Sequence, residues 1–134
     1  MSRWIQNFLI AIVGVLSIGC SVAGNNDRLV YKFENDEFIL EKECVSVLQL
    51  GHSQLKNDYV LNIEINRTPK CSERFNSLLS KNIGKKVSLY FGVNKISQTY
   101  IAGEIQSENG YRQAFSDKKV INNILESYGR NAKN

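Results

Sequence analysis

A chain of 134 residues has room for one domain, which excludes a multidomain enzyme. With 43% apolar and 22% charged residues, nine Gly and one Pro, it is neither disordered nor collagen-like. Seventeen basic against thirteen acidic side chains give a net charge of +4, which permits anionic partners without requiring them.

Residues 1–23 read as an export signal and not as part of the fold. Arg3 is the only charged side chain before Asp27, and Phe8 to Ile18 is an unbroken run of apolar and small residues. Three fates stay open. Ser21-Val22-Ala23 offers leader peptidase small residues and would release a chain starting at Gly24. Leu16 to Cys20 resembles a bacterial lipobox, which would end the signal at 19 and make Cys20 a lipidated first residue and membrane tether. Retained from Trp4 to Ala23, the segment would be an anchor. Loss of Arg3 with the signal leaves a weakly basic mature chain, taken as a single domain over 24–134.

Gly24 to Asp27 reads as a short tether. Leu29, Tyr31 and Phe33 alternate with Val30 and Lys32 as in a strand, and a turn at Asn35-Asp36 leads to strands at Phe38 to Leu40 and Cys44 to Leu50. After Gly51-His52-Ser53 the chain to Asp58 is a loop or short helix. From Tyr59, Leu61, Ile63 and Ile65 share one face of a half-solvated strand. Thr68 as N-cap and Pro69 at the first position open a helix, along which Phe75, Leu78, Leu79 and Ile83 recur before Gly84 closes it. Val87 to Val93 is the next strand, with a tight turn at Val93-Asn94-Lys95 into Ile96 to Ile105, where Gly103 marks a bulge. A turn at Glu108-Asn109-Gly110 precedes a short strand from Tyr111 to Phe115. Ser116 and Asp117 open the last helix, whose Val120, Ile121, Ile124, Leu125 and Tyr128 share a face and which Gly129 closes, leaving a frayed tail from Arg130. The order implies an α+β domain with two helices on one side of a mostly antiparallel sheet.

Beyond Cys20 the chain has two cysteines, Cys44 and Cys71, and an even pair in a small exported domain reads as a disulfide. Two buried free thiols or half of a metal site are the alternatives. A zinc site would need further ligands, yet His52 is the sole histidine and no Cys-x-x-Cys occurs, so neither metal nor cofactor is expected.

The stretch from Tyr59 to Tyr128 resembles the head subdomain of the large periplasmic domain of SecD/SecDF protein-export subunits. The resemblance rests on the strand YVLNIEI, a helix running into Ser80-Lys81-Asn82-Ile83-Gly84-Lys85, the strand KVSLYFG, the segments KISQTYIAGEI and YRQAF, and a final helix. Asn82, Gly84, Lys85, Ile101, Ile105 and Phe115 occupy the family's fold-specifying places, so the likeness implies a SecD-head-like fold more than an activity. It covers about half the chain. The family's transmembrane helices have no counterpart beyond the signal, its glycine in the last strand region is replaced around Gln113-Ala114, and residues 24–57 match nothing in it.

Catalytic chemistry finds little support. His52 follows Gly51 in a turn, where an exposed residue is the ordinary reading. Glu41 and Glu43 flank Lys42, which on a strand would set both carboxylates on one face, as a glycosidase pair or simply as a charged surface. Gly84-Lys85-Lys86 lacks the spacing of a P-loop. Lys81, Lys85 and Lys86 near the first helix's end are a candidate contact patch for anionic lipid or an acidic partner, although cations there also complement the helix dipole; Lys118 and Lys119 sit in the second helix's first turn. Asn66-Arg67-Thr68 is a chance glycosylation sequon followed by Pro69.

The expectation is therefore a non-enzymatic periplasmic or envelope protein-binding module, a lipoprotein if Cys20 is used. Its partner would be exported polypeptide or a translocon component; the alternative is an immunity or inhibitor protein holding one toxin or lytic enzyme. An export signal argues against nucleic acid.

Overall fold

The structure, a computed structural model, describes residues 27–52 and 59–130. The signal, its cleavage readings and Cys20 lie outside the described residues, as do 53–58 of the expected loop and the tail from 131.

Among the described residues, seven strands and two α-helices follow one another as β1 (Leu29–Lys32), β2 (Glu37–Leu40), β3 (Val45–Gly51), β4 (Tyr59–Ile65), α1 (Arg74–Lys81), β5 (Lys86–Phe91), β6 (Asn94–Tyr100), β7 (Tyr111–Phe115) and α2 (Lys118–Ser127). This is the α+β class the element order implies. The single sheet is corrected: the strands divide into a four-stranded sheet, β2-β1-β5-β6, and a three-stranded one, β3-β4-β7, every pairing antiparallel. Side-chain alternation decides which face of a strand is buried and leaves open which strand lies beside it. Two connections make the division. A 3-10 turn at Lys42–Cys44 carries the chain from β2 into the second sheet, and residues 101–110 return it from β6 to β7.

One core lies between the sheets and the helices. Leu29 and Tyr31 of β1, Val87 and Leu89 of β5, and Leu61, Ile63 and Ile65 of β4 all point into it, each on the alternating positions of its strand. Phe75 of α1 joins the sheets, with its ring 4.6 Å from Phe38 of β2, 4.7 Å from Tyr31 of β1 and 5.9 Å from Tyr111 of β7. On α2, Ile121, Ile124 and Leu125 are fully buried, a face formed by apolar residues three and four apart.

Local signals explain most element ends. Thr68 is extended and Pro69 stands first, as expected, but the Thr68 side chain caps nothing and the opening turn, Pro69–Glu73, is π-helical. The buried Asn82 side chain closes α1 by donating to the Leu78 carbonyl at 2.7 Å. Asp117 caps α2 by accepting from the Lys119 amide at 2.9 Å. Gly129, at φ +74, lets the Arg130 amide fold back onto the Leu125 carbonyl at 2.8 Å.

The β5–β6 turn differs from expectation. It is Gly92-Val93, closed by the Phe91 and Asn94 pair, because Gly92 accepts φ +64 where Asn94 is already in the strand. The bulge also moves: pairing slips between Leu89 opposite Ser97 and Tyr90 opposite Lys95, while Gly103 lies in irregular chain. β6 stops at Tyr100, not Ile105, because Ile101 is held by the turn after α1, its carbonyl accepting from Gly84 at 2.7 Å and its amide donating to Lys85 at 3.0 Å.

Tyr128 fastens the far end of the first sheet. Its buried hydroxyl accepts from the Leu29 amide at 2.9 Å and donates to the Leu40 carbonyl at 2.6 Å. Tyr128→Phe strands both backbone groups without water, so equilibrium urea unfolding should show a loss of about 2 kcal/mol. A loss below a few tenths would mean that the bridge contributes nothing.

Candidate functional site

Among the described residues β6 pairs only with β5, and β7 only with β4, so each presents one free strand edge. Between these edges opens a cleft of about 570 Å³. Its floor is apolar, made by Phe75, Leu79, Val87 and Ile101, all buried residues of the core.

Its walls break the alternation that holds elsewhere. Ser97 and Thr99 of β6 lie directly opposite Leu89 and Val87 of β5, so they belong to the core-facing side of the sheet, yet Ser97 is only half-buried and Thr99 is exposed. On β7 the inward positions are Tyr111, Gln113 and Phe115, and Gln113 is half-buried. Ser97, Thr99 and Gln113 have no side-chain hydrogen-bond partner among the described residues, and all three line the cleft. Three polar groups on inward faces therefore meet open space instead of the opposite sheet.

At the base the sheets touch through two phenols. The Tyr31 and Tyr111 hydroxyls lie 2.6 Å apart, so one proton is shared across the gap and the second remains to be donated elsewhere. Burial pushes both phenols above the usual tyrosine range. The connection that frames the cleft is fixed by Asn76 of α1. Its carbonyl oxygen accepts from the Ser107 amide at 2.9 Å and hydroxyl at 2.7 Å, and its amide donates to Glu108 at 2.7 Å. That hydrogen bond, with one from the Glu108 backbone and the Arg67 guanidinium 3.9 Å away, holds the Glu108 carboxyl below the usual range. Glu104 and Arg112, both exposed, leave the cleft's rim with charges of both signs.

The residues singled out from the sequence lie elsewhere. Cys44 and Cys71 form the disulfide, both buried, and tie the start of β3 to the opening turn of α1. Lys81 shares a shallow groove on α1 with Lys70 and Arg74, whereas Lys85 pairs with Glu34 at 3.9 Å and Lys86 lies 5.5 Å from the Tyr100 ring. Lys118 and Lys119 are exposed at the start of α2. Glu41 and Glu43 are not on a strand: Glu41 precedes the 3-10 turn that contains Glu43, because the chain is leaving one sheet for the other at that point. His52 is exposed, and its carbonyl accepts from Arg112. The Asn66 side chain donates to the Glu43 carbonyl at 2.7 Å. Among the described residues no group of three or more His, Cys, Asp or Glu side chains gathers.

Sequence reading passed over Gln113, Ser97 and Thr99. A signal was present for the first, since Gln113 is the one polar residue between Tyr111 and Phe115 on the inward side of a five-residue strand. Comparison with protein-family models, curated proteins and solved structures gives no match.

Proposed function

We propose that the protein is a non-enzymatic, extracytoplasmic polypeptide-binding module that takes an extended segment of a partner chain into the cleft between β6 and β7. One observation carries this reading: two free strand edges face a single apolar-floored cleft. A strand added to a free edge gains main-chain hydrogen bonds that depend little on sequence, while the floor receives its inward side chains. The disulfide and the signal-like first 23 residues agree with action outside the cytoplasm, with Cys20 as tether if lipidated. The resemblance to the SecD head supports exported polypeptide, or a translocon component, as the partner.

Site-specific photo-crosslinking in intact cells tests it. A crosslinker at Thr99, inside the cleft, should capture a spread of newly exported chains, and one at Ile39, on the outer edge of the first sheet, should not. Capture of one folded toxin or lytic enzyme in stoichiometric amount would replace the reading with that of an inhibitor. Equal capture at both positions would mean that the cleft is not the site.

A further inference from the structure

We infer that Gln113 sets the register of the bound segment, its carboxamide pairing with the main-chain N–H and C=O of one residue of a peptide that lies as an added strand between β6 and β7. The inference rests on the function proposed above and deepens it, because it names the chemistry the cleft reads.

Gln113 stands mid-strand on the inward side of β7, flanked by Tyr111 and Phe115, where the pattern calls for an apolar residue. A carboxamide brings two donors and an acceptor, and in Gln113 none of them has a partner among the described residues. Half-exposed in the open cleft, the carboxamide is hydrated, and an occupant that displaces this water binds well only if it replaces the hydrogen bonds. In an extended chain the N–H and C=O of one residue point the same way and together are the complement of a carboxamide, so both bonds form at once. Ser97 and Thr99 face the same space from β6 and supply further hydroxyls. An apolar occupant such as a lipid chain would bury all three polar side chains unsatisfied, and so fits worse than a peptide.

The dimensions and charges agree. Five residues of β7 offer an edge of about 17 Å, enough for about five residues of an added strand. Alternate side chains of that strand point down at Leu79, Val87 and Ile101, which favours apolar residues at every second position. Glu104 and Arg112 at the rim cancel, so neither strongly acidic nor strongly basic segments are favoured over neutral ones.

The test begins with selection of linear peptides from a random phage-displayed library on the oxidised, exported protein. The most enriched peptide is then synthesised together with a series in which each backbone nitrogen in turn is methylated. Calorimetric titration against the wild type and against Gln113→Ala gives the coupling between the two sites of change. One N-methyl position should weaken binding to the wild type at least tenfold but the Gln113→Ala protein less than twofold. Gln113→Ala alone should cost about tenfold, with an unchanged melting temperature because the side chain holds nothing in the free protein. Binding of the selected peptide with the same affinity and the same N-methyl profile in both proteins would overturn the assignment of Gln113 while leaving the cleft reading in place. Failure to enrich any peptide would overturn the cleft reading, and this inference with it.

Discussion

Replacing both Cys44 and Cys71 by alanine is expected to lower the unfolding free energy by about 3.6 kcal/mol, the chain entropy the unfolded state regains when a loop of 27 residues is opened. Much of that effect acts on the unfolded chain. The loop contains β3 and β4, which are already held together in the native state by their own hydrogen bonds, so the bridge adds little to the hairpin itself. What it removes is the freedom of the unfolded chain to separate the start of β3 from the first turn of α1. Stability of a domain this size is typically about 5–15 kcal/mol, so the loss is a large share of the total. Alanine is the suitable replacement, because both sulfurs are buried and a serine hydroxyl there would need a partner. Urea unfolding of the oxidised, reduced and double-alanine proteins measures the difference, with the slope rising in the two unbridged forms as the unfolded state expands. A change below about 1 kcal/mol would show that loop entropy is not how this bridge acts.

Alkali should have nearly as large an effect. Tyr31 and Tyr128 are both almost fully buried, and desolvation raises both phenols well above the ordinary value near 10. Tyr111 shifts the same way, through burial and its contact with Tyr31. A raised folded-state value means that below pH 10 both states carry neutral phenols and nothing is lost. Above pH 10 the unfolded chain sheds these protons and the folded one does not, so stability declines as pH rises. Each phenol costs about 1.4 kcal/mol per pH unit in that window, or about 3 kcal/mol by pH 11 for Tyr31 and Tyr128 together. Denaturant unfolding at pH 8, 10 and 11 should therefore give similar midpoints for the first two and a much lower one for the third. Because Tyr111 contributes as well, Tyr31→Phe should flatten the decline by about a third, which distinguishes this cause from general charge repulsion. Phenolate absorbance at pH 10 in the still-folded protein that Tyr31→Phe or Tyr128→Phe diminishes would show instead that these groups are not shielded.

Much of the local structure is legible in the sequence because its causes are local. The strand Tyr111 to Phe115 appears with those very ends, Asp117 caps the last helix, and Gly84 and Gly129 adopt positive φ where helices end. The buried faces of β4 and α2 follow from periodicity alone, and the cysteine pair from an even count in a chain with an export-like start. Errors occur where the cause is a distant partner. The sequence alternation runs on from Ile96 to Ile105, yet the strand stops at Tyr100 because the turn after α1, about seventeen positions earlier, claims Ile101. Glu41 and Glu43 would share a face if they stood on a strand, and they sit at a 3-10 turn because the chain changes sheets there.

The amino-acid sequence by itself determined the class of fold, the order of the elements and the faces they bury, since each depends on residue spacing or on side-chain chemistry within a few positions, and it pointed to the disulfide because only two cysteines follow Cys20. Only the tertiary structure decided that the described strands form two sheets and that β6 and β7 are left apart, with Phe75 and the Tyr31–Tyr111 pair closing the base of the gap. The reason is that strand pairing is a contest among backbones that all carry the same hydrogen-bonding groups. Its outcome is settled by packing over the whole core, and a polar residue such as Gln113 acquires meaning only once the space in front of it is known.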